Sequence, residues 1–289
     1  MTLGGGRGTN AVGVVGLGAV GGTVARAFEL AGLSVVGYDP HLEIGNVADL
    51  SACETIFLCV PTPLSDDGRF DVGEVHSAIR EFEPHVADGT IVAVKSTVPP
   101  GTSDSLSSEF PMLRFASVPE FLVQARPLET FSQPDRIVIG SRSGDSAAVL
   151  ADLMSRVAPG APIVVLLPAE AELVKLASNA MLAAKVTLAN ELAEISRRHG
   201  VSWGRIQGAV GLDRRIGPDH LTVSAERGFA GACLPKDLDG LIGAAEGAGY
   251  QAPVLRNIAA FNRAIRRLVD SDHETAGDDL TSKEGTGSP

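Results

Sequence analysis

The chain has 289 residues, enough for roughly two domains of ordinary size. Hydrophobic residues make up 44% and charged residues 20%, so a sizeable core is expected, and a formal charge of −11 argues against an electrostatic grip on nucleic acid or anionic membrane. Three cysteines without zinc-ligand spacing give neither a disulfide framework nor a metal site; with no secretory signal and no apolar run near the ~20 residues of a membrane span, a cytoplasmic protein with no membrane partner is expected.

Residues 1–10, with "GGGRG", offer little to bury and are expected to be flexible. The apolar run Ala11–Val15 then reads as a buried strand. Gly16-x-Gly18-x-x-Gly21 follows it, Ala19 and Val20 open a helix to about Ala31, and a strand Ser34–Tyr38 ends in Asp39. Between strand and helix, with an acid about 20 residues on, the glycine motif reads as a dinucleotide cradle. The glycines permit a tight turn and close approach to a pyrophosphate, and the helix N-terminus faces the phosphates. Asp39 is expected to bind both ribose hydroxyls and to repel a 2′-phosphate. Pro40-His41 supplies no arginine, so NAD is favoured over NADP.

The strand–helix rhythm continues through "TIFLCVPTP", a helix Asp71–Phe82, "TIVAVKSTVPPGT", "RFASVPEF", "RIVIG", a helix Asp145–Val157 and "APIVVLLP". Such alternation predicts a Rossmann-type, doubly wound parallel sheet over residues 11–168, with ligands beyond the carboxyl ends of the strands. Thr62, Thr97 and Glu120 fall at such ends, whereas Cys53 and Cys59, in or beside an apolar strand, read as structural.

Residues 169–270 read as all-helical. Pro168 opens a long helix closing at Gly200, in which Leu173, Leu176, Ala177, Ala180 and Ala184 form an apolar stripe; a helix so long and alanine-rich is also suited to be a dimer's packing spine. Lys175 and Asn179, four apart, share a face; a surface pair is the plain alternative. Further helices are expected near Trp203–Val210, from Pro235, and over "VLRNIAAFNRAIRRLVD". Residues 271–289, acidic with almost no large apolar side chain, read as a disordered tail. In "GFAGACLPKD" (228–237), Cys233 sits among small residues beside a lysine that favours the thiolate. The segment alone leaves open a reactive thiol or a small buried cysteine at a loop–helix junction.

"GLGAVG", Asp39, "PTP", "STVPPGT", "PEFL", "RIVIG", "AELVKLASNA", "RRIGP" and "GFAGACLPKD" occur in one order over residues 11–270, and the chain thereby resembles the UDP-glucose/GDP-mannose dehydrogenase family. The resemblance implies four-electron oxidation of a sugar's primary alcohol to a carboxylate by two NAD at one active site, in a homodimer. Carried over position by position, Cys233 is the nucleophile that holds the aldehyde as a thiohemiacetal and then a thioester. Lys175 and Asn179 face the oxygen that gains charge. Asp237 with Thr97 holds the water and a proton relay, and Glu120 assists thioester hydrolysis. Pro61, Thr62, Ser96, Thr97 and Lys236 join the cofactor site. Phe121, Leu122, Gly228 and Phe229 join the substrate site, and Arg215 reaches the neighbour's substrate.

Gln124 stands where the family usually has a second glutamate, and Ala230 and Ala232 replace a glycine and an often-found serine. Family members continue into another α/β domain that clasps the nucleotide. Its absence after residue 270 implies a smaller substrate (free sugar, sugar phosphate or nucleoside), ahead of a partner chain or a decayed enzyme. Two alternatives stand beside this reading: a two-electron dehydrogenase of the β-hydroxyacid or 6-phosphogluconate kind, and a non-catalytic NAD-binding protein.

Overall fold

Ala11–Val15 is apolar at every position because the strand it forms, β1, is buried on both faces, and the rest of the sheet is built around it. The structure, a computed structural model, describes residues 11–281, with side chains through Arg267. In chain order the elements are β1 (Ala11–Val15), α1 (Ala19–Leu30), β2 (Val35–Tyr38), β3 (Cys53–Leu58), α2 (Gly73–Phe82), β4 (Ile91–Val94), α3 (Thr102–Glu109), β5 (Arg114–Ser117), α4 (Pro127–Ser132), β6 (Ile137–Ser141), α5 (Gly144–Val157) and β7 (Ile163–Leu166). Then follow α6 (Pro168–Arg198), α7 (Trp203–Gly211), α8 (Leu234–Gly247) and α9 (Pro253–Thr281). The chain divides into two compact units between Leu176 and Ala177.

In the first unit, seven strands lie in the order β2-β1-β3-β4-β5-β6-β7. Two separate cores cover the two faces. One centres on Phe28, Phe57, Ile139 and Leu150, the other on Leu50, Ile56, Ile79, Phe82 and Leu106. The chain leaves β1 for β2 on one side and returns to β3 on the other, so the topological switch lies between β1 and β3, where ligands of open α/β sheets bind.

The sheet is not wholly parallel, as the alternation had suggested. β6 runs antiparallel to β5 and β7 is parallel to β6. An antiparallel neighbour needs no crossover, so the short α4 suffices between β5 and β6. α3 and α4 are additions to the expected set.

In the second unit, α6, α8 and α9 bury Ala180, Ala183, Phe229, Leu238 and Ala259 together. A smaller cluster joins Ala189, Trp203 and Leu221, with the Trp203 indole donating to the Leu221 carbonyl at 2.8 Å. The helix expected from Pro168 forms, but the division between units falls inside it, because its first two turns belong with the sheet. Gly140 on β6 lies so close to α6 that a Cβ there would stand 2.6 Å from that of Ala171.

The last helix also exceeds its expected end at 270 and runs to Thr281. No proline interrupts residues 254–281, and Glu274 and Ala276 are good helix formers. The remainder of the acidic tail, 282–289, and the glycine-rich residues 1–10 lie outside the described residues. No helix among the described residues is long and apolar enough to cross a membrane.

Candidate active site

At the carboxyl end of β1 the chain must turn within ångströms of the loop after β3. Gly16 does so with φ +83°, and a Cβ there would sit 2.9 Å from the Cys59 carbonyl. A Cβ on Gly21 would come within van der Waals overlap of the Gly16 oxygen, which is how α1 packs so tightly on β1. Gly18 differs. It is the N-cap of α1, and a Cβ there meets nothing within 4 Å. No side chain caps α1 and its first turn, with Ala19 and Val20, carries no acid, so the helix end is open to an anionic group.

The Asp39 carboxylate, buried at the end of β2, accepts from the backbone N–H of Leu17 at 2.7 Å, His41 at 3.0 Å and Leu42 at 3.1 Å. It therefore ties the glycine loop to the end of β2. A carboxylate offers about four lone-pair sites, so roughly one remains, on Oδ2. That leaves acceptor capacity for the ribose hydroxyls expected there.

Beyond it, Thr62 Oγ1 donates to the Thr97 carbonyl at 2.6 Å and Ser96 Oγ to the Val60 carbonyl at 2.6 Å. These bonds stitch the loops after β3 and β4 together, with Pro61 exposed between them. The open glycine, the uncapped helix end and the buried acid fit a dinucleotide. Gly18→Ala is accordingly expected to leave thermal stability within about 1 kcal/mol of wild type. It should weaken NAD binding at least about tenfold by titration calorimetry, because the added methyl occupies only ligand space.

Also in the first unit, the segment after β5 carries Glu120, only 9% exposed. Its Oε1 accepts from Lys175 Nζ at 2.9 Å and its Oε2 from the Leu122 N–H at 2.5 Å. The Lys175 ammonium, 4% exposed, thus holds a carboxylate, as a cation buried this deeply must. Lys175 and Arg136 lie over the Phe121 ring at 5.7 and 4.3 Å.

Two buried residues here escaped the sequence reading. Lys95, at the end of β4, donates to the Val118 carbonyl at 3.0 Å and the Pro119 carbonyl at 3.4 Å. Desolvation pulls its ammonium down to about 8, against the opposing pull of Cys59 and Glu120 and with help from Lys175. Glu172 accepts from the Gly101 and Ser103 N–H groups at 2.6 and 2.9 Å and from Ser103 Oγ at 2.7 Å. It caps α3 from α6, and burial raises its carboxyl above the usual range despite these donors.

In the second unit, Asn179 Nδ2 donates to Asp237 Oδ2 at 2.6 Å, and Asp237 is 1% exposed. Lys236 Nζ approaches the other oxygen at 2.9 Å, a charge contact without hydrogen-bond alignment. The Asp237 N–H donates to the Cys233 carbonyl at 2.8 Å, closing the first turn of α8. Cys233 is the N-cap of that helix, with Pro235 in its first turn.

Of the three thiols only that of Cys233 is exposed. Desolvation pushes Cys53 up to about 11 and Cys59 up to about 12, which keeps both protonated and agrees with a structural role. The loop into Cys233 passes through Gly228, at φ +61°, and the buried Phe229. Arg215 is almost fully exposed and pairs with Asp213 at 2.6 Å, and Gln124 is exposed.

Switch point, glycine cradle and strand-end acid together define an α/β dinucleotide-binding protein with an attached helical unit. Residues 41–158 match the NAD binding domain of the UDP-glucose/GDP-mannose dehydrogenase family and residues 169–264 match its central domain. A UDP-glucose dehydrogenase structure from Pyrobaculum islandicum superposes with a TM-score of 0.83 at 33% identity, covering 91% of this chain and 70% of that one. The chain belongs to the UDP-glucose/GDP-mannose dehydrogenase family.

UDP-glucose 6-dehydrogenase of Rickettsia felis is 33% identical over 254 residues, 82% of this chain and 56% of the relative. The chain therefore spans little more than half the length of such relatives. The fold is also shared by a 3-hydroxyisobutyrate dehydrogenase of Mycobacterium tuberculosis, at 15% identity and TM-score 0.69, with 90% of this chain and 99% of that one covered.

Proposed function

We propose that this chain is an NAD-dependent oxidoreductase that takes the primary alcohol of a sugar-type substrate to the carboxylate and holds the aldehyde stage on Cys233. The observation that carries it is the pairing along α6: Lys175 with the Glu120 carboxylate, and Asn179 one turn later with the Asp237 carboxylate. Two buried acids with their own base or amide suit chemistry that moves protons at both the oxidation and the hydrolysis stage.

Two NAD molecules, bound in the cradle one after the other, would supply the hydride acceptor for the two oxidations. The residues do the rest. As the alcohol gives up its first hydride and passes its hydroxyl proton to the relay that ends at Asp237, Lys175 and Asn179 steady the oxygen that carries the developing charge. The Cys233 sulfur then adds to the aldehyde carbon and the oxygen takes a proton, giving a thiohemiacetal that does not diffuse away. A second hydride leaves that carbon and the oxygen passes its proton to the same relay, which leaves a thioester. Water adds to the thioester, with Glu120 accepting its proton, and the carbon–sulfur bond breaks to release carboxylate and thiol. Asp237 and Thr97 hold that water, and Lys236 stays beside Cys233 and the cofactor.

Such a thiol suits the reducing cytoplasm. The substrate is a nucleotide sugar, or a smaller sugar or nucleoside. A homodimer along α6 accords with its exposed Leu173, Met181, Leu188 and Ile195, which recur every seven or eight residues. Arg215 is proposed to serve the substrate of the second copy.

The test is product stoichiometry against a panel of UDP-sugars, GDP-sugars, free sugars and nucleosides. Two NADH per acid are expected. One NADH with a free carbonyl product would instead establish the two-electron reaction, and no turnover together with NAD binding would establish a non-catalytic protein.

A further inference from the structure

Cys233 follows the small residues Ala230, Gly231 and Ala232, so the course of the loop that leads to it is set by the residues just upstream. The second unit shows what holds those residues. Asn262, in the third turn of α9, is 6% exposed and turned toward the loop rather than solvent. Its Oδ1 accepts from the Phe229 N–H at 2.7 Å and its Nδ2 donates to the Phe229 carbonyl at 2.9 Å. One amide thereby satisfies both backbone groups of one loop residue, in the way a neighbouring strand would.

One residue earlier, the Gly228 N–H donates to Oδ1 of Asn190, which is 1% exposed on α6. Arg266, one turn beyond Asn262, donates to the Arg227 carbonyl at 3.3 Å. The Phe229 ring is itself buried with Ala180, Ala183, Leu238 and Ala259. On the other side of Cys233, Asp237 is held by Asn179. Only three small residues, 230–232, separate Cys233 from Phe229.

We propose that Asn262 is a positioning residue for Cys233: by clamping both backbone groups of Phe229 from α9, with Asn190 on Gly228, it fixes the loop that sets the thiol at the N-terminus of α8. The glycine belongs to the same device. A Cβ at 228 would stand 2.4 Å from Asn262 Oδ1, and the residue's φ of +61° is strained for any other side chain. The final helix is thus part of the machinery that presents the sulfur. The functional meaning of this clamp rests on Cys233 being the nucleophile, but its existence does not.

The experiment uses the whole chain with a methanethiosulfonate nitroxide on Cys233, the one exposed thiol, the label's position being checked by peptide mass. In wild type the spectrum should be dominated by a restricted component. Asn262→Ala and Gly228→Ala should each raise the mobile fraction at least about twofold. Asn262→Asp keeps the acceptor, loses the donor, and should fall between. The double variant Asn262→Ala/Gly228→Ala should show less than the sum of the single effects, because the shortened side chain no longer meets the new methyl.

Unchanged spectra in folded Asn262→Ala and Asn262→Asp, alongside a lowered melting temperature, would overturn the proposal and leave Asn262 as a bolt between α9 and the loop. Should Cys233 prove dispensable for activity, the catalytic reading falls while the spectra still decide the clamp.

Discussion

Cys233→Ser is expected to abolish acid formation while leaving the fold intact. The position is exposed, and exchanging sulfur for oxygen there should alter stability by no more than about 0.5 kcal/mol. The chemistry responds very differently. A thiol near neutral pH is partly thiolate and strongly nucleophilic, whereas a serine hydroxyl without an adjacent base is neither. The first oxidation needs no sulfur, so the variant should release at most one NADH per substrate, with free aldehyde or a stalled complex. The acid-forming rate should fall by about 1,000-fold or more, the scale on which removal of a nucleophile is felt. NADH counting together with aldehyde trapping by a hydrazine reads both outcomes. Acid made within about tenfold of the wild-type rate would end the thioester route, and with it the role given to the loop that Asn262 holds.

Much of the fold was legible because the sheet is buried on both faces. β1, β3 and β4 are short, largely apolar runs bounded by glycine, proline or lysine, and the amphipathic helices α2 and α5 each bury one stripe. The cradle was legible for a different reason. Gly16 and Gly21 stand where backbone would collide with a side chain, so their spacing records the geometry directly.

What escaped had no such pattern. α3 buries only Ser103 and Leu106 and is otherwise polar, and α4 buries only Phe131. The direction of β6 depends on how the β5–β6 connection is routed, and a strand's own sequence carries no sign of its direction. Among candidate site residues, Cys233, Glu120, Lys175, Asn179 and Asp237 were singled out through motif order. Lys95, Glu172 and Asn262 act through backbone carbonyls and amides far away in sequence, which no local spacing encodes. A weak signal existed for two of them: a lysine at the end of an apolar strand, and an asparagine on the inner face of an amphipathic helix. The two carboxylate pairings were likewise invisible, since Glu120 and Lys175 lie 55 residues apart, and Asn179 and Asp237 lie 58 apart.

Lys175→Met is expected to cost about 3–5 kcal/mol of stability, because it leaves the Glu120 carboxylate buried without its counter-charge. Thermal melting of the whole chain should show a fall of about 6–20 °C in the transition that involves the sheet. Adding Glu120→Gln should recover most of that loss, since a buried pair replaced at both ends is close to neutral. The cycle has a functional meaning. If Lys175 is to steady a substrate oxygen, it must loosen its hold on Glu120, and the strength of that hold sets how much the exchange costs. Lys95, buried against the segment that carries Glu120 and within electrostatic reach of it, is the group that can compensate the carboxylate during the exchange. A loss below about 1 kcal/mol in Lys175→Met, in the range of exposed pairs, would mean that the ammonium is already free of Glu120 in solution and that no exchange is needed.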